Sequence, residues 1–194
     1  MNGIGGLLGL TLRDARAGAR AILALDLPMQ ARWMALVLMA VLSVLLTQIG
    51  LAVFPLPAAT AWEAWMQDAV FAVPLQLAFI AALAAGIALV GRRFGGHATL
   101  ADAVILVAWL EFVMLLLQVA QLVAVFVLPF LALIIGLGSV VAFFWLLTAF
   151  TAEANGFDRL ALVFFGILGT MLVAALALVL LATLVGFDPV IPEP

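Results

Sequence analysis

The sequence predicts an all-α integral membrane protein: a five-transmembrane-helix bundle with an amphipathic amino-terminal interfacial helix. Three observations carry this. Of its 194 residues, 69% are hydrophobic and 9% charged, outside the composition of soluble globular domains, so lipid must be the main solvent. The apolar stretches match the roughly 20 residues that a helix needs to cross a hydrocarbon core about 30 Å thick. All seven basic residues are arginines and lie outside the long apolar stretches.

No polar stretch is long enough for a second domain. The chain divides into an amphipathic segment (1–27), a five-span domain (28–187) and a short outer tail (188–194). At the amino terminus no basic residue precedes the short apolar run, and Arg13, Arg16 and Arg20 follow it. A cleavable signal has the opposite order, so this segment is expected to be retained. Leu8, Leu12, Ala15, Ala19 and Ile22 share one face at helical spacing with the arginines on its flank. That pattern fits a helix lying on the inner leaflet, or one packed on the bundle. Asp26 is placed to cap the next helix, with Pro28 in its first turn.

The first span is expected over 32–54 and stops at Pro55 and Pro57. The second covers 69–90 and ends at GRRFGG. Residues 101–150 are apolar almost throughout, but one helix of that length would be roughly 75 Å long, over twice the core thickness. The stretch must fold back at Pro129, giving spans over 101–126 and 130–150. A fifth span over 160–185 follows the break TAEANGFDR.

With five crossings, Arg13, Arg16, Arg20, Arg32, Arg92, Arg93 and Arg159 all fall on one side. Positive residues in short loops stay cytoplasmic, which predicts a cytoplasmic amino terminus and a periplasmic carboxyl terminus in a bacterial inner membrane. Trp33, Trp62 and Trp65 suit the interfacial aromatic belt.

Several function classes drop out. A net charge of −3 without a basic groove argues against nucleic acid. Cysteine is absent, which removes thiol chemistry and disulfides. A lone His97 cannot build a multi-ligand metal site. Gly136–Ser139 reads GLGS, but no lysine or nearby histidine is available as a base. The expectation is a non-enzyme without cofactor or metal.

Polar groups within apolar spans are costly and therefore informative. The third span carries Glu111, Gln118 and Gln121. At about 100° per residue, Glu111 and Gln118 lie within roughly 20° and Gln121 some 60° further round, which makes one stripe. Gln48 and Gln76 of the first two spans are placed to face it. The stripe reads either as interhelical hydrogen-bond glue or as a proton, ion or headgroup pathway. A second group, Asp102, Glu153, Asn155 and Asp158 with Arg92, Arg93 and Arg159, lies near the cytoplasmic interface. It reads as helix-end pairing and capping, or as a site for a lipid headgroup or partner protein. Ala81, Ala85 and Gly86, and likewise Gly166 and Thr170, are expected to allow close helix packing.

The segment GGHATLADAVILVAW, Gly95 to Trp109, resembles the Gly-Gly and polar helix-start signature of the Yip (Ypt/Rab-interacting) family. The DLP before the first span, WLEFVMLLLQVAQ in the third and AEANGF at Ala152 to Phe157 are similar to its bacterial branch. The resemblance implies a five-span membrane domain with a cytosolic amino terminus. In eukaryotic relatives it implies trafficking roles with Rab-type GTPases and membrane-protein partners. This chain has only about thirty residues before its first span, without the long cytosolic region such relatives often carry, so a GTPase partner is an expectation the resemblance supports poorly. Gly95 and Gly96 do, as residues that shape the start of the third helix.

The expected function is a Yip-like, non-enzymatic scaffold or organiser of membrane components, acting in the lipid bilayer with a membrane-protein partner or as a homo-oligomer. The alternatives are a small oligomeric transporter, channel or lipid-handling protein using the Glu/Gln stripe, and an accessory subunit of a larger complex.

Overall fold

The computed structural model describes residues 3–55, 63–64 and 67–184, and its regular structure there is entirely helical. Two short helices, α1 (Ile4–Arg13) and α2 (Ala15–Leu23), precede five long ones: α3 (Met29–Val53), α4 (Ala69–Arg93), α5 (Leu100–Val127), α6 (Pro129–Asn155) and α7 (Leu160–Leu184). Each of the five is long and apolar enough to cross a membrane, so the chain is a multi-pass helical membrane protein. Trp62, Trp65, Pro57 and the FDPVIPEP tail lie outside the described residues.

The amphipathic segment is two helices rather than one. Asp14 takes extended backbone angles and its carboxylate accepts from the Ala17 N–H at 2.9 Å, capping α2 and ending α1. The break splits the expected apolar face. Ala15, Ala19 and Ile22 are buried against the bundle, whereas Leu12 is exposed. Asp26 does not cap α3. Pro28 occupies the cap position without a side-chain bond, and Asp26, at φ 43°, instead lies 3.7 Å from Arg32.

Pro129 makes the hairpin between α5 and α6 tight. Leu128 alone connects them, extended as a residue before proline must be, and Pro129 starts α6 where its missing N–H costs nothing. At the arginine-bearing end, α4 and α6 run past their expected stops and close alike. Gly95 and Gly156 adopt positive φ (86° and 73°). Gly96 N–H then reaches Gly91 O at 2.9 Å and Phe157 N–H reaches Ala152 O at 2.8 Å, the Schellman pattern. The α5 start is a capping box, with Thr99 and Asp102 bonding each other's backbone N–H at 3.2 Å.

Helix α5 is the hub, packing on α3, α4 and α6, with α2 across its arginine-side end. Its buried run from Ala103 to Ala108 meets Leu36 and Ala40 of α3, Ile80, Ala84 and Ile87 of α4, and Leu146, Leu147 and Phe150 of α6. Helix α7 is peripheral. None of its residues is buried, and its main neighbour is α6, through contacts such as Phe144 with Phe164.

Candidate functional site

The intramembrane polar groups form a ladder through one half of the bundle. Glu111, 6% exposed, accepts a hydrogen bond from Gln76 Nε2 at 3.4 Å, which ties α5 to α4. Two turns along α5, Gln118 Nε2 donates to Thr47 Oγ1 at 2.9 Å, and Ser43 Oγ donates to Gln118 Oε1 at 3.4 Å, which ties α5 to α3. Gln121 lies against α6, where Gly136 leaves room: a Cβ there would sit 2.9 Å from the Gln121 amide nitrogen. The stripe on α5 thus touches three helices, which accords with amide side chains joining spans.

Gln48 does not join the ladder. Its Nε2 is buried with no partner among the described residues, and Ser43 and Thr47 hold the Gln118 contact instead. The serine and threonine were not singled out in the sequence because a short hydroxyl side chain in a span usually bonds its own helix, as Thr47 also does to Ser43 O at 3.0 Å. A recess of about 80 Å³ lined by Ser43, Val44, Thr47, Ala72 and Gln76 opens beside the ladder, room for a few waters. It does not continue to the arginine end. From Glu111 toward Asp102 the buried positions of α5 are all apolar, Ala103, Val104, Leu106, Val107 and Leu110 among them. The buried polar side chains facing this half from other helices are the hydroxyls of Thr11, Thr148 and Thr151.

The residues expected as one interfacial cluster separate into three sites. Glu153 accepts from Arg16 at 2.7 Å and Arg20 at 3.1 Å, fastening α2 to α6. Asp102 pairs with Arg32 at 3.2 Å, and Arg32 Nε also bonds Leu27 O at 2.7 Å. The carboxylates therefore pair with amino-terminal arginines and not with Arg92, Arg93 or Arg159, because α2 occupies the face of α6 on which Glu153 emerges.

Asn155 forms the second site, 1% exposed. Its Nδ2 donates to Thr151 O at 3.0 Å and Ile87 O at 3.3 Å, and its Oδ1 accepts from the Ala98 N–H at 3.4 Å. One amide thus staples the end of α6 to α4 and to the α4–α5 connection. Gly91 and Gly96 lie directly on it, and a Cβ on either would overlap the Asn155 side chain. This gives the Gly95–Gly96 pair a physical role: the first supplies the positive φ, the second the room. Gly91 was missed, since a glycine before two arginines carries no distinguishing pattern.

The third site is a cleft of about 970 Å³ between α4 and α7, floored by Leu147 and Thr151 of α6, with Phe94, Asp158 and Arg159 at its mouth. Gly86, Gly166 and Thr170 line it. The expectation that these small residues bring helices together is corrected here. A Cβ on Gly86 or Gly166 would meet nothing within 4 Å, because α7 leans on α6 and stands away from α4.

One connection was also missed: Trp109 Nε1 donates to the Thr11 hydroxyl at 3.0 Å, anchoring α1 to α5. Among the described residues no group of three His, Cys, Asp or Glu could hold a metal ion. Compared with protein-family models, with curated proteins and with solved structures, the chain matches none of them.

Proposed function

We propose that this multi-pass membrane protein is a Yip-like, non-enzymatic organiser of other membrane components, acting through lateral helix contacts and through the arginine-bearing layer formed by α1, α2 and the helix ends. The observation that carries this is α7. It has no buried residue, and Phe165, Leu172, Leu176 and Leu180 form an apolar outer face available to a neighbouring helix. The arginine-bearing end is assigned to the cytoplasm of a bacterial inner membrane by the charge rule. The family likeness rests on the sequence resemblance; Gly95 and Gly96 close α4 and make room for Asn155, whereas the start of α5 that they were expected to shape is set by the Thr99–Asp102 capping box.

The transport reading is weaker. The ladder groups bond one another across helix interfaces, and in the half of the bundle between Glu111 and the arginine end the buried positions of α5 are all apolar. Among the described residues a proton or ion would meet no ionisable side chain in the interior of that half, only isolated hydroxyls such as those of Thr148 and Thr151.

The test is affinity purification from native membranes in mild detergent. A membrane-protein partner or a defined homo-oligomer at fixed stoichiometry is expected. Repeated recovery of the monomer alone would overturn the proposal.

A further inference from the structure

We propose that the cleft between α4 and α7 binds one anionic phospholipid, with the acyl chains along the cleft and the phosphate on the Arg159 guanidinium at the mouth. This goes beyond the lateral-contact reading and stands without it, because it uses the inner flank of α7 rather than the outer face.

The first argument is shape. The α4 wall runs from Phe94 to Phe79, about 22 Å at 1.5 Å per residue, which exceeds the roughly 15 Å half-thickness of the hydrocarbon core. Chains from one leaflet therefore fit along it. Gly86, Gly166, Ala174 and Ala175 keep the walls low, so the cleft stays open between two helices that could otherwise have closed on each other.

The second argument is charge. At the arginine-bearing end, Arg16, Arg20 and Arg32 are neutralised by Glu153, Asp102 and Asp26. No such ion pair is formed among the described residues by Arg92, Arg93 or Arg159, which sit where α4 ends and α7 begins. Asp158 is the one acidic residue lining the cleft beside them. Within the lining Asp158 balances Arg159, so the excess of positive charge at this end comes from Arg92 and Arg93 in the last turn of α4, at headgroup depth, where the inner leaflet offers anionic lipid. A second copy of the chain fits less well. Inserted with the same orientation, it would bring its own arginines to the same depth, like charge against like.

The third argument is an unsatisfied group. Thr151 lines the cleft floor one turn inside the mouth, is 7% exposed, and its hydroxyl has no partner among the described residues. A buried hydroxyl without a partner is costly. The oxygen is enclosed in this conformation; turned about χ1 to the other rotamer that threonine adopts in helices, it would face the cleft and donate to a glycerol ester carbonyl just below a bound phosphate.

The experiment uses the full chain, purified in detergent, stripped of lipid by exhaustive washing, and titrated separately with dioleoylphosphatidylglycerol and dioleoylphosphatidylcholine, with bound lipid counted by native mass spectrometry. One phosphatidylglycerol per chain is expected, retained roughly ten-fold better than phosphatidylcholine, the selectivity of about one charge-assisted hydrogen bond. Arg159→Gln should bring the two lipids close to parity. Gly86→Leu combined with Gly166→Leu, which fills open space rather than occupied space, should remove both. Arg159→Gln is an exposed change, so it remains decisive if the double leucine variant folds poorly. Equal retention of the two lipids by the native chain, or undiminished selectivity in Arg159→Gln, would overturn the proposal. So would a lipid-free dimer that the leucine pair dissociates, which would make a second copy the occupant.

Discussion

Replacing Asn155 tests whether the arginine-side helix ends depend on one buried amide. In Asn155→Ala the Ala98 N–H, on a residue 1% exposed, loses its acceptor. Leaving a buried donor unmade costs about 1–3 kcal/mol, and losing the bonds to Ile87 O and Thr151 O adds something like 1 kcal/mol more. A total of about 2–4 kcal/mol is expected. Gly96→Ala attacks the same site from the other side, since its Cβ needs the space held by the Asn155 amide. Overpacking of that kind costs about 1–3 kcal/mol. In the double variant the new methyl enters the space that Asn155 vacates. The two losses should then fall short of their sum by at least about 1 kcal/mol, as expected for residues in direct contact. Unfolding of each variant in mixed micelles by dodecyl sulfate titration, followed by far-ultraviolet circular dichroism, gives all four corners of the cycle. Additivity within about 0.5 kcal/mol, or a neutral Asn155→Ala, would refute the reasoning.

Three further outcomes follow from the same structure. Glu111→Gln keeps a partner for Gln76 and should cost under about 1 kcal/mol in the same titration, whereas Glu111→Leu strands the amide and should cost about 1–2 kcal/mol; equal effects would mean the bond is unimportant. Glu153→Ala releases Arg16 and Arg20 from α6, so protease cleavage at Arg13, Arg16 and Arg20 should accelerate several-fold, and unchanged cleavage would show that α2 is held by its apolar face alone. Because the chain has no cysteine, a cysteine at His97 and another at Asp68 can each be labelled alone; impermeant maleimide on intact spheroplasts should reach Asp68→Cys and not His97→Cys, and the reverse pattern would invert the assigned topology.

The span count was legible because crossing a bilayer needs length and apolarity together, and both are written locally. Pro129 marked its hairpin for the same reason, since a proline acts at its own position. Which span sits at the centre was not legible. Helix α7 is the most hydrophobic of the five and the least buried, while α5 is the most buried. In lipid the apolar surround is as favourable as the protein core, so hydropathy does not rank burial. The polar stripe on α5 was readable from periodicity, and its contact with Gln76 follows from it. Its other partners were not, because choosing Ser43 and Thr47 over Gln48 depends on the rotation of α3 about its own axis. The interfacial charges were grouped by depth alone, and depth says nothing of which side of the bundle a residue faces. The break at Asp14, which puts α2 over α6, decided that grouping.

The lateral-contact account is tested most directly by photocrosslinking in native membranes. A photoreactive residue at Leu176, on the outer face of α7, is expected to give a discrete protein adduct on irradiation, and one at Leu106, fully buried in the bundle, to give none. Crosslinks from Leu176 to lipid alone would contradict the account, because the face that none of the described helices covers would then have no protein partner to organise.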